Sequence, residues 1–74
     1  MIDGEKRMKE NSALSSMQRM LEKYSKKNGR TFEDAMKLFT ASRTYKLLFD
    51  FDSELWKEGP DYLMGLFEKE LVNR

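Results

Sequence analysis

Apolar residues recur at spacings of three and four in four separate runs of this chain, and short polar breaks divide the runs. That periodicity belongs to helices that each bury one stripe. In the first run Leu14, Met17, Leu21 and Tyr24 share a face, with Met20 beside them, behind an N-cap pair at Asn11 and Ser12. Asn28 and Gly29 end it, glycine supplying the left-handed residue that a helix C-terminus favours. In the second, Phe32, Ala35, Met36 and Phe39 follow Thr31, and Asp34 three residues on completes an imperfect capping box. The third opens after Ser42 and carries Tyr45, Leu48 and Phe49, with Leu47 widening the stripe. The fourth, Leu63, Leu66, Phe67 and Leu71, follows Gly59, Pro60 and Asp61, where a first-turn proline loses no needed hydrogen bond.

The pattern predicts an all-α fold, a small bundle of four short helices near residues 12–27, 32–40, 43–50 and 60–72. Leu14, Leu21, Phe32, Phe39, Leu48, Leu63 and Phe67 are expected at its centre, with an irregular acidic connector before the last helix. Residues 1–10 are polar and aperiodic and read as a flexible N-terminal tail, leaving 11–74 as a single helical domain.

Seventy-four residues support one core at most. A chain of this size buries only about 60% of the surface its unfolded form exposes, so its stability is marginal without outside help. The sequence contains no Cys and no His, which removes disulfides, thiolate chemistry, zinc sites of ordinary composition and His-based acid–base catalysis. A partner chain remains as the source of help. No apolar run approaches the ~18 residues of a membrane span, and the opening residues lack the apolar core of a signal peptide. A cytoplasmic protein with no membrane association is expected. Residues 1–30 hold eight Lys/Arg against four Asp/Glu and residues 31–74 hold six against nine, so the halves carry net charges of +4 and −3. Such a dipole suits packing against a second charged surface, although a solvated mixed-charge exterior has the same composition.

Five acids fall within residues 45–62. Asp50, Asp52 and Glu54 imitate the start of a calcium loop, but Leu55 stands where that loop needs Gly and Asp61 where it needs Glu. A hydrolytic carboxylate pair needs a cleft, which so short a helical chain has little material to build. The acids therefore read as turn and helix caps, and a break in the third helix at 50–53 is favoured because Asp and Ser compete for backbone hydrogen bonds. No catalytic residue, metal ligand or cofactor is expected, and the chain does not read as an enzyme.

Tyr45, Phe49, Phe51, Trp56, Tyr62 and Phe67 crowd into 23 positions, more aromatic surface than one small core hides. Trp56, Phe51, Tyr45 and Tyr62 are the candidate partner-binding residues, Trp and Tyr being the types most often found as binding hot spots. The methionines read mainly as core filling rather than as an adaptable groove. This composition points to a non-enzymatic protein–protein interaction module, a homodimer or other homo-oligomer or the small subunit of a complex. The alternative is a DNA-binding transcriptional regulator with a degenerate helix-turn-helix at 32–49, in which Ser42, Arg43, Thr44 and Lys46 start the reading helix. Phe39 and Thr40 depart from the usual glycine and apolar residue of that turn, and the acids at 50–61 would repel phosphate.

The residues Ser42, Arg43, Thr44, Tyr45, Leu47, Leu48, Asp50, Leu55, Trp56, Gly59, Pro60 and Tyr62 form a pattern that resembles a group of short, uncharacterised bacterial helical proteins common in Firmicutes. The resemblance covers about half of the chain. It implies a gene in a small operon, in some cases of toxin–antitoxin type, and hence a partner-binding, antitoxin-like role with the operon neighbour as partner. It carries over no catalytic residue. Glu54 departs from the pattern, which has a small residue before the Leu-Trp pair.

Overall fold

The computed structural model describes residues 2–73, with side chains from residue 4 onward. Helix α1 spans Ile2–Asn28, α2 Phe32–Thr40, α3 Arg43–Leu48 and α4 Pro60–Val72. Two 3₁₀ turns, Phe51–Ser53 and Leu55–Lys57, form the connector between α3 and α4. There is no strand among the described residues. α1 packs against α2, α4 and the second 3₁₀ turn, while α3 bridges α2, α4 and the connector. At 1.5 Å per residue α1 is about 40 Å long, and it sets the long axis of a molecule measuring 42 × 22 × 18 Å.

α2 and α4 have the boundaries their patterns indicate, and both starts are made as expected. Thr31 Oγ1 accepts a hydrogen bond from the Asp34 amide at 3.1 Å. Gly59, at φ 86° and ψ 172°, occupies a backbone region open essentially to glycine and sends Pro60 into the first position of α4. Gly29, at φ 61°, closes α1, with the Arg30 amide donating back to the Ser25 carbonyl at 2.9 Å.

Helix α1 differs from expectation, because it begins at Ile2 rather than near residue 12. The segment read as a tail is rich in Glu, Lys, Arg and Met, good helix formers without a proline among them. Its Glu5–Lys9 pair, 3.4 Å apart, adds i,i+4 support. Aperiodic polarity showed that this stretch buries no stripe; it did not show that the stretch is not helical. Asn11 and Ser12 consequently lie inside α1 and cap nothing.

The core gathers Ala13, Met20, Leu21 and Tyr24 of α1, Ala35 and Phe39 of α2, Leu48 of α3, Leu55 of the connector, and Leu63 and Phe67 of α4. Five of the seven expected centres are fully buried: Leu21, Phe39, Leu48, Leu63 and Phe67. Phe32 only packs against the cluster's edge. Leu14 is 47% exposed, because the buried stripe is centred on Ala13, Met17, Met20 and Tyr24 and the next residue after Ala13 is turned about 100° away. At the centre, the Phe67 ring meets Phe39 edge-on at 5.1 Å and Tyr24 at a tilt, also at 5.1 Å.

The break after α3 occurs where the acids and Ser53 stand. Asp50 Oδ1 accepts from the Asp52 amide at 3.2 Å. Ser53 Oγ lies 2.7 and 2.8 Å from the carbonyls of Leu47 and Asp50 and accepts from the Leu55 amide at 3.3 Å. These short side chains satisfy backbone groups that α3 leaves open, so the helix stops. Glu54, between the two 3₁₀ turns, is left-handed at φ 60° and is the sole non-glycine residue with positive φ among those described.

That conformation costs a side-chain-bearing residue about 1 kcal/mol or more. Glu54's ion pair with Lys57 at 3.1 Å is solvent-exposed and offsets little of this cost. Glu54→Gly is therefore expected to raise stability by about 0.5–1 kcal/mol, a few degrees in Tm, after the entropy glycine adds to the unfolded chain. Thermal unfolding followed by circular dichroism measures this; a lowered Tm would show that the Glu54 side chain makes contacts worth more than the strain it bears.

Candidate functional site

The start of α3 is built from two other parts of the chain. Ser42 Oγ accepts from the Tyr45 amide at 3.1 Å and donates to the Phe39 carbonyl. From α4, the Glu70 carboxylate accepts from the amides of Arg43 and Thr44, both at 2.9 Å, and from Thr44 Oγ1 at 2.7 Å. The first three amides of α3 are thus all taken, and the helix is pinned to α4.

This arrangement bears on the DNA-contacting set. Ser42 is 0% and Thr44 4% exposed, both engaged in the cap, and only Arg43 and Lys46 reach solvent. α3 has six residues, under two turns. The four residues do not form one presented surface.

The four aromatic candidates are also divided. Tyr45 is half-buried, edge-on to Phe39 at 5.7 Å and tilted against Phe49 at 5.2 Å. It serves as the outer layer of the core. Trp56 is half-buried as well; its Nε1–H donates to the Phe51 carbonyl at 3.3 Å, and the ammonium groups of Lys9 and Lys57 stand 5.6 and 5.7 Å from its ring centroid. Phe51, likewise half-buried, lies beside Glu5, Lys6 and Lys9. The first turns of α1 and the connector therefore shield Trp56 and Phe51 together. Tyr62 alone of the four is largely open, 55% exposed.

Tyr62 does not stand by itself. Across a hollow of about 190 Å³ between α3, the connector and α4 it faces Leu47, 47% exposed, with Leu55 and Leu66 also lining the hollow. Glu54 and Glu58 supply its acidic rim. Leu47 carried a signal in the sequence, as the residue that made the third stripe wider than one buried face requires; Leu66 read there as part of the apolar face of the last helix. A second hollow lies where α1 passes the second 3₁₀ turn, lined by Ser12, Ser15, Ser16, Arg19, Trp56 and Lys57 among others. Among the described residues no cluster of three acids could hold a metal ion, and no helix is long and apolar enough to cross a membrane.

Comparison of the chain with protein-family models, with curated proteins and with solved structures finds no match.

Proposed function

We propose that this protein is a non-enzymatic interaction module that docks a segment of a different protein on the α3–α4 face. The observation that carries the reading is the pairing of Leu47 and Tyr62, two large apolar side chains left half-open on either side of a hollow with Leu55 and Leu66 in its wall. Exposed apolar residues are ordinary when scattered, but here they converge on one concavity. Glu54 and Glu58 at its rim select the occupant by charge: apolar side chains flanked by Lys or Arg. The resemblance to short, uncharacterised bacterial helical proteins, which have no assigned activity, adds only that the partner is encoded by a neighbouring gene.

The role expected of Trp56 and Phe51 passes in this reading to Tyr62 and Leu47, since the former two are engaged within the molecule. Replacing both Leu47 and Tyr62 by Ala is expected to lower affinity for the product of the adjacent gene at least about 30-fold, the scale of one hot-spot residue. Because both side chains are open to solvent, folding stability should change by no more than about 0.5–1 kcal/mol. Titration calorimetry with the purified pair measures the first quantity and urea unfolding the second. Unchanged affinity in the double variant would refute the assignment of this face.

A further inference from the structure

Helix α3 carries one lip of the docking hollow and is too short to hold its own position. It has six residues, and a helix of that length is marginal without tertiary support. Its placement therefore comes from what grips its two ends. At the C-terminal end Leu48 is fully buried and Ser53 Oγ lies 2.7 Å from the Leu47 carbonyl. At the N-terminal end Ser42 already supplies a local cap by accepting from the Tyr45 amide. The second cap, from Glu70, arrives across 26 residues and divides its two oxygens, Oε2 accepting from the Arg43 amide and Oε1 from the amide and hydroxyl of Thr44. A cap brought from another helix fixes where α3 begins relative to α4, which a local cap does not.

The register of the two helices ties that grip to the docking face. Tyr62, Leu66 and Glu70 follow at intervals of four along α4, and on α3 Leu47 stands four residues after Arg43 and three after Thr44. Glu70 against residues 43 and 44 is thus one layer of the α3–α4 contact, and Leu47 with Leu66 in the wall of the hollow is the next. Movement in the first layer swings α3 about its buried Leu48 and carries Leu47 relative to Tyr62. We propose that Glu70 is a positioning residue of the docking face, setting the width of the hollow by holding the start of α3 at the reach of its own side chain. The inference rests on the reading of that face given above. A hollow whose walls are already fixed binds more tightly than one whose walls must be ordered on docking.

Two substitutions separate position from charge. Glu70→Gln keeps an oxygen for Thr44 but sets an NH₂ group against the Arg43 amide, and Glu70→Asp keeps the charge but shortens the reach by one methylene. Methyl and aromatic NMR spectra of the full chain are recorded for both, under conditions where urea unfolding shows each to be folded. The signals of Leu47, Leu66 and Tyr62 are expected to shift or broaden in both variants, while those of the fully buried Leu21 hold. Glu68→Ala, on the same helix but paired with Lys27, should leave Leu47 unmoved. A carboxylate that only stabilises would lower the urea midpoint and leave the folded spectrum unchanged, and one that acts through charge alone would let Asp replace Glu. Either result overturns the proposal. Affinity for the product of the adjacent gene, measured by calorimetry on fully folded protein, should fall about three- to tenfold in both variants. Wild-type affinity in both, with the Leu47 and Tyr62 double variant impaired, would overturn the positioning role and leave the docking face standing. Wild-type binding by the double variant would refute the face itself, and the positioning role would fall with it.

Discussion

Phe67→Ala is expected to cost 3–5 kcal/mol, the usual range for removing a buried phenyl ring. For a chain of this length the whole stability is about 4–11 kcal/mol, so the variant should lose a large share of it. The size of the effect follows from position. Phe67 is fully buried and its ring touches Phe39 from α2 and Tyr24 from α1, so one side chain of α4 joins three helices. Phe39 makes a comparable junction of α2 with α3 and α4, and the cavity left by Ala at position 67 would open at the point where α1, α2 and α4 meet. Urea unfolding monitored by circular dichroism reads the loss as a lowered midpoint. Phe67→Leu, which keeps most of the volume, should recover more than half of it. A loss below about 1.5 kcal/mol for the alanine variant would place the centre of the core elsewhere.

Glu70→Ala is expected to cost about 2–4 kcal/mol, a large effect for a charged, partly exposed residue. Three hydrogen bonds to its carboxylate disappear together, and bonds to an ionised group contribute about 1.5–3 kcal/mol when sheltered. Two of them come from Thr44, which is almost fully buried and would be left with an amide and a hydroxyl lacking their acceptor. The third, from the Arg43 amide, lies at the exposed edge of the molecule, where water replaces it, which keeps the total below a simple sum. Glu68→Ala is the control on the same helix: its 2.9 Å pair with Lys27 is half open to solvent and should contribute under about 1 kcal/mol. Equal losses for the two variants, measured by the same urea titration, would show that Glu70 does not cap α3.

Glu70 also shows where sequence reading stopped. Thr31, Ser42 and Asp50 each cap an element that begins within three residues of them, and a single sequence displays such local signals. The α3 cap contributed by Glu70 arrives from 26 residues away, and nothing in the spacing of α4 distinguishes that glutamate from Glu68. Ser42 illustrates a different ambiguity, since a serine before a short helix suits both a cap and a groove-reading contact. Burial decided between them. The α1 stripe was read one residue off in its first turn because Leu outweighs Ala in any hydropathy count, although geometry centres the face on Ala13. The extension of α1 to Ile2 was hidden for the opposite reason: its helix-forming residues bury little, so periodicity had nothing to register. The break at 50–53 was legible because Asp50 and Ser53 carry their own backbone-bonding chemistry. The candidate site was legible only in part: the aromatic surplus was visible, but which ring stays open depends on how α1 and the connector cover the others.

The α3–α4 face is tested most directly by placing a photoactivatable crosslinking residue at position 62, at position 47, and at Lys26 on the exposed side of α1 as a control, each in the full chain expressed in its native cell. A discrete adduct with one protein other than itself is expected from positions 62 and 47, and none from position 26. An adduct of twice the chain's mass from 62 and 47 would put a second copy in the hollow, and crosslinking no stronger at 62 and 47 than at 26 would mean that the face docks nothing.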